Sequence, residues 1–252
     1  MDPATKSTIL TTLQNGKMEI EGLLPWSSNY AFLVTICDEK QELRAVYKPR
    51  RGERPLWDFP EGTLSLREQA AFLVSDWLGW DLVPPTVLRR GEHGLGSVQL
   101  FVEHDPDQHY FAIEGDPLFK HPLQRMALLD VAINNADRKG GHVLIEQGSG
   151  EEAIGPGHLW GIDHGICFNA EFKLRTVIWE FAGLPIPDEY LAELIDLNRA
   201  LLEANQDSLV GALGTLLSVE EVAAMRRRVQ ALVEGGLFPS PGSGRHYPWP
   251  PV

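Results

Sequence analysis

Asp137 and Asp163 are the side chains about which chemistry can be built in this chain. Asp137 opens the run Asp137-Arg138-Lys139-Gly140-Gly141-His142, a polar loop between an apolar helix end at 130–133 and a short strand from Val143. Asp163 follows a second strand, in Leu159-Trp160-Gly161-Ile162-Asp163-His164-Gly165. Carboxylates at the rims of two short adjacent strands suit phosphoryl transfer, in which one orients or deprotonates an acceptor hydroxyl and the other holds the metal that neutralises phosphate charge. Asp near Gly also marks ordinary turns, so each motif alone has a bland explanation as a solvated turn.

The order of the parts, a loop Asp followed by an Asp two residues before a Gly, matches the kinase signature set. Asp137-Arg138, a ligand-type side chain at His142 and Asp163-x-Gly165 resemble the phosphatidylinositol 3- and 4-kinase superfamily, and within it a bacterial phosphatidylinositol 3/4-kinase-like family, over residues 16–176. That superfamily's loop reads Asp-Arg-His-x-x-Asn. This chain has Lys139 where His is usual and His142 where the metal-binding Asn is usual.

The resemblance implies an α+β, two-lobed protein-kinase-like (phosphatidylinositol kinase-like) fold, with a small antiparallel N-lobe sheet and a helical C-lobe. It places the N-lobe at 1–103, the C-lobe at 104–238 and a Pro/Gly-rich tail at 239–252. It also implies ATP as the cofactor with Mg²⁺ or Mn²⁺, Asp137 as the base or the residue that orients the acceptor, and His142 with Asp163 as metal ligands.

The elements that must position these groups lie upstream. Residues 43–48 read as a strand ending on Lys48, which resembles the kinase lysine that reaches the nucleotide phosphates, though a strand-end lysine beside Arg50 and Arg51 also fits a solvated edge. Ser65-x-x-Glu68 reads as a capping box opening a helix through Leu78. Glu68 thus has a plain role as a helix cap and, by resemblance, a second as the carboxylate that pairs with Lys48, with Glu61 in reserve. Ser27, Ser28 and Asn29 interrupt two strands at 17–23 and 30–37; they form either an ordinary turn or, by resemblance, a loop over the phosphates. Glycine-rich phosphate cradles are absent from the sequence. The strand 96–102 leads into a charged break, and resemblance makes it the hinge where adenine would meet the backbone about Leu100, Val102 and Glu103.

Composition narrows the classes. A chain of 252 residues, 43% apolar and 23% charged, is an ordinary globular protein that can bury a sizeable core. Cys37 and Cys167 fit neither a disulfide framework nor a zinc spacing, which points to a reducing cytoplasm. A net charge of -13 argues against nucleic-acid partners and against anionic membranes, and no apolar stretch is long enough for a membrane span. The glycine-rich stretch 147–158 reads as a mobile hairpin tip, helices are expected at 187–204 and 218–233, and Arg226, Arg227 and Arg228 read as a solvated face. The tail is expected to be disordered or docked in extended form.

The reading favoured is an ATP-dependent, metal-dependent phosphotransferase acting on an unidentified hydroxyl-bearing acceptor, whether protein, small molecule or lipid headgroup. A nucleotide-binding pseudokinase is the alternative suggested by His142. A metal-dependent hydrolase using His142, Asp163 and His164 is the third class, and it requires the strand to end before Asp163.

Overall fold

The computed structural model describes residues 1–24, 29–146, 157–203 and 205–252. Ser27, Ser28 and most of the glycine-rich stretch after Glu146 lie outside them. Among the described residues no helix is long and apolar enough to cross a membrane.

The chain opens with α1 (Pro3–Asn15), whose N-terminal amides at Ala4 and Thr5 are accepted by the Asp2 carboxylate, with proline in the first turn, where its missing N–H costs nothing. Five strands follow as an antiparallel sheet in the order β1-β2-β3-β5-β4, with β1 (Lys17–Leu23), β2 (Phe32–Cys37), β3 (Glu42–Pro49), β4 (Thr86–Gly91) and β5 (Gly94–Leu100). Pro84 and Pro85 precede β4 at the sheet edge, where a missing amide breaks no ladder. Ile9 and Leu13 of α1 pack with Val34, Ile36, Ala45, Tyr47, Val87 and Val98 in a small core. Since successive strand residues point to opposite faces, burying Tyr47 on the α1 side turns Lys48 to the other side, toward α2.

Helix α2 (Leu64–Trp77) corrects the capping-box expectation. It starts one residue before Ser65, and the Thr63 side chain at its N-cap makes no capping bond. The Glu53 carboxylate in the preceding linker does the work instead, accepting from the Leu64 and Ser65 amides at 3.1 and 2.9 Å. Glu68 is therefore one turn inside the helix and free to face Lys48.

The rest of the chain is mainly helical. Helix α3 (Tyr110–Ile113) precedes α4 (Lys120–Ile133), which stops at Asn134 in the left-handed region, φ 54°. Strands β6 (Val143–Glu146) and β7 (His158–Gly161) form an antiparallel pair, and α5 (Asp188–Ala200), α6 (Leu209–Gly214) and α7 (Val219–Gly235) complete the fold. The capping box expected at Ser218 and Glu221 is present, and Gly236 ends α7 at φ 61°. One continuous core runs from Val74 and Phe72 of α2 through Leu128 and Leu129 of α4 to Leu194 of α5 and Met225 of α7.

Two buried arginines stitch that core together. Arg67 of α2 donates to the Cys167 carbonyl and to Glu221 at 2.8 and 2.6 Å, and lies over the Phe59 ring. Arg228 donates to the Ala132 and Asn169 carbonyls, so the solvated-face expectation fails for it. The reason is helical geometry: on α7 Arg228 shares the buried face of Met225 and Leu232, while Arg227 is exposed. The tail is docked in extended form. The His246 carbonyl accepts from the Thr176 amide and the Trp179 indole at 3.1 and 3.2 Å, and the Pro251 carbonyl accepts from the Gly140 amide at 2.7 Å.

Candidate active site

Lys48, on β3, reaches Glu68 Oε1 of α2 at 2.6 Å and Asp163 Oδ1 at 3.1 Å. Glu68 is buried, and its second oxygen accepts the His164 amide at 3.1 Å. One carboxylate thus holds both the lysine and the backbone next to Asp163. Burial by itself would lower the Lys48 pKa, but the charges of Asp163 and Glu68 outweigh it and hold the ammonium above its ordinary value. The same contact, foremost the Lys48 charge, keeps Asp163 well below the usual carboxylate range. Asp163 stands in the left-handed region at φ 62°, a costly backbone state of the kind that concentrates at functional sites.

Asp137 is placed by a second set of contacts. Arg138, fully buried, donates to Asp130 Oδ1 and Oδ2 at 3.0 to 3.2 Å, to the His142 carbonyl at 3.2 Å and to the Ile162 carbonyl at 3.0 Å. Asn135 donates to Asp130 at 2.9 Å and accepts the Asp137 amide at 3.0 Å. The loop also pairs with the segment near Thr176, through Arg138 N–H to the Arg175 carbonyl and Val177 N–H to the Arg138 carbonyl. Asp137 itself faces the cavity that contains Lys48, Glu68 and Asp163. Burial, with the nearby Asp163 charge, pushes its pKa up to about 6, against the pull of Lys139 at 3.4 Å.

His142 lies across from Asp163, Nε2 to Oδ2 3.4 Å. Its Nδ1 is 2.9 Å from the Asp137 carbonyl, which can only accept, and 3.5 Å from the Lys139 N–H; the shorter contact puts the proton on Nδ1, so Nε2 presents a lone pair. Burial lowers the His142 pKa to about 4, which keeps the ring neutral near pH 7. A neutral imidazole oriented by a carbonyl and facing an ionised carboxylate could hold a divalent cation as a pair of ligands; among the described residues no group of three or more His, Cys, Asp or Glu side chains is placed to do so. His164 differs. Its Nε2 takes a hydrogen bond from Arg138 at 2.7 Å, and its ring is buried. That nitrogen is thereby unavailable to a metal, while Nδ1 is buried without a hydrogen-bond partner among the described residues.

Where the resemblance places the hinge, one of the three amides is occupied. Leu100 N–H donates to the Pro85 carbonyl, the Val102 carbonyl takes His104 Nδ1–H, and Glu103 pairs with Arg44 at 2.5 Å. Val102 packs with Leu144, Trp160 and half-buried Ile162, an apolar floor immediately before Asp163. Asn29 Oδ1 accepts the Arg54 amide at 2.9 Å, tying the loop between β1 and β2 to the linker before α2. Glu61 is exposed and makes no contact with Lys48 among the described residues, so Glu68 holds that place.

Several supporting residues escaped sequence reasoning: Glu53, Asp130, Asn135, Leu144, Trp160 and Ile162. Asp130 alone carried a signal, a solitary carboxylate within the apolar run of α4, since an unpaired charge is almost never buried.

The fold is that of the protein kinases. The Golgi casein kinase superposes with a TM-score of 0.57 at 16% identity, covering 98% of this chain and 78% of that one. The proinflammatory kinase CtkA of Helicobacter pylori gives a TM-score of 0.54 at 10% identity, over 90% of this chain and 94% of its own. No protein-family model matches the chain. By sequence it belongs to the same family as protein Rv2133c of Mycobacterium tuberculosis, to which it is 38% identical over 94% of this chain and 93% of the relative. Phosphatidylinositol 4-kinase gamma 4 of Oryza sativa is 33% identical over 47% of this chain, and gamma 1 of Arabidopsis thaliana 33% over 55%. The chain spans 22% and 28% of those plant kinases' own lengths.

Removing one partner of the buried Arg138 pair leaves the other charge uncompensated. Asp130→Ala should cost about 3–5 kcal/mol of unfolding free energy in urea titrations. A loss within about 0.5 kcal/mol, that of an ordinary surface change, would refute the role given to the pair.

Proposed function

We propose that the chain is an ATP-dependent phosphotransferase of the phosphatidylinositol 3/4-kinase-like type, transferring a phosphoryl group to a hydroxyl acceptor with a divalent cation. The observation that carries this reading is Lys48 held between Glu68 and Asp163, with Asp137 on the same cavity. Lys48 is paired with Asp163. Phosphate oxygens would draw Lys48 away and release the Asp163 carboxylate, while Glu68 keeps the ammonium aimed. His142 and Asp163 would hold the cation, which supplies neutralisation of phosphate charge. Asp137 would accept the acceptor's proton, and a carboxylate of pKa about 6 is ionised yet usefully basic near neutral pH. The Val102 amide, without a hydrogen bond among the described residues, would meet adenine above Leu144 and Ile162. Protein, small-molecule and lipid hydroxyls all satisfy this chemistry.

The test is incubation with labelled ATP and Mg²⁺ or Mn²⁺, scoring autophosphorylation and ATP consumption. Asp137→Ala should lose turnover by a factor of about 10²–10⁴, the range for a removed general base. Nucleotide binding without turnover in the parent would favour the second reading, a pseudokinase, which the His142 exchange motivates.

Because Asp137 must be ionised to accept a proton, kcat/KM should rise with pH through about 6. Lys139 lowers that pKa, so Lys139→Met should move the acidic limb upward. A limb that stays in place would remove Asp137 from the base role.

An imidazole nitrogen suits Mn²⁺ better than Mg²⁺, which prefers oxygen ligands. His142→Asn should therefore lower the Mn²⁺ to Mg²⁺ activity ratio while turnover persists. An unchanged ratio would mean that the ring only braces the Asp137 carbonyl.

A further inference from the structure

The linker from β3 to α2 and the tip of the β4–β5 hairpin enclose a second cavity of ≈ 560 Å³, within the range of small-molecule sites. Arg50, Arg51, Arg54 and Arg90 line it. Among the described residues none of these four is matched to a carboxylate, which is also true of Arg89, Arg175, Arg226, Arg227, Arg228 and Arg245; what sets the four apart is that they gather around one hollow. The chain carries a net charge of -13, so four unmatched cations around one hollow oppose its overall electrostatics.

The arrangement is built rather than incidental. Gly62, at φ 70°, has no side chain where the Arg50 guanidinium lies; a Cβ there would stand 2.1 Å from Arg50 Nε. The Arg54 backbone is pinned to Asn29, and Arg90 is held in β4 opposite Leu95. Two carboxylates also line the cavity. Glu53 is occupied with the first amides of α2, and Glu61 is exposed. Leu56, Phe59, Leu64 and Leu95 supply an apolar wall.

We propose that this cavity is a binding site for a phosphomonoester, its phosphate held by the guanidinium groups and its carbon skeleton against the apolar wall. Planar guanidinium forks match phosphate oxygens two at a time, which an ammonium cannot do. The apolar wall beside the exposed guanidinium groups favours an ester with a carbon skeleton over a purely acidic peptide. The site contains neither Lys48, Asp137 nor Asp163, so it stands whether or not the chain is a kinase.

Calorimetric titration of the whole chain with glycerol 3-phosphate, glycerol, inorganic phosphate and phosphatidic acid vesicles tests it. Glycerol 3-phosphate should bind saturably and glycerol should not. The Arg51→Gln/Arg54→Gln variant, shown folded by thermal unfolding, should bind about tenfold or more weakly, the loss of one charge-assisted hydrogen bond. Lys48→Met should bind it as the parent does, separating this site from the ATP cleft. Vesicle binding without binding of the soluble ester assigns the phosphomonoester to a lipid. Absence of binding to every phosphate probe, equal affinity in the arginine variant, or tighter binding of a polyglutamate peptide would overturn the proposal.

Discussion

The buried ion pair of Arg138 and Asp130 is the constraint on which the site depends. Both side chains are fully withdrawn from water, and such a pair is tolerable only when its remaining donors and acceptors are satisfied. Here they are met by the His142 and Ile162 carbonyls, His164 and Asn135. Those partners are the ends of the segments that carry Asp137, His142 and Asp163. Satisfying one guanidinium therefore sets the loop that carries Asp137 and His142 against Asp163, which lies on a separate segment.

Around that anchor two carboxylates in one cavity are driven in opposite directions. Lys48 contacts Asp163 and holds it ionised, while Asp137, desolvated and facing the Asp163 charge, is made more basic. Under the proposed function, environments that push two carboxyl groups apart in this way would divide charge stabilisation from proton transfer. Glu68 enforces the difference because its two oxygens fasten Lys48 and the His164 amide at once.

Much of this was legible in the sequence because it depends on local pattern. Lys48 near the end of β3 and the two Asp-containing turns carried the resemblance that implied the fold class, and the structure brings these residues together. What stayed hidden depends on distance along the chain. Glu53 caps α2 from eleven residues away, and no short motif announces that, whereas Ser65 and Glu68 offered a convincing local substitute. Arg138 sat inside a recognised motif but looked like a polar loop residue, since only the fold reveals Asp130 beneath it. The floor formed by Val102, Leu144, Trp160 and Ile162 draws on three segments and has no signature in any of them.

The docked tail adds an ordering in time. The Gly140 amide and the backbone at Thr176 are fastened by carbonyls of Pro251 and His246, far downstream in the chain. During synthesis from the N-terminus, the loop bearing Asp137 emerges with its Arg138 anchor available as soon as Asp130 and β7 are folded. Its outer strap comes from residues far later in the sequence, so the loop is gripped from inside by near neighbours and from outside by the docked segment, whose Pro251 carbonyl covers the face on which Gly140 lies.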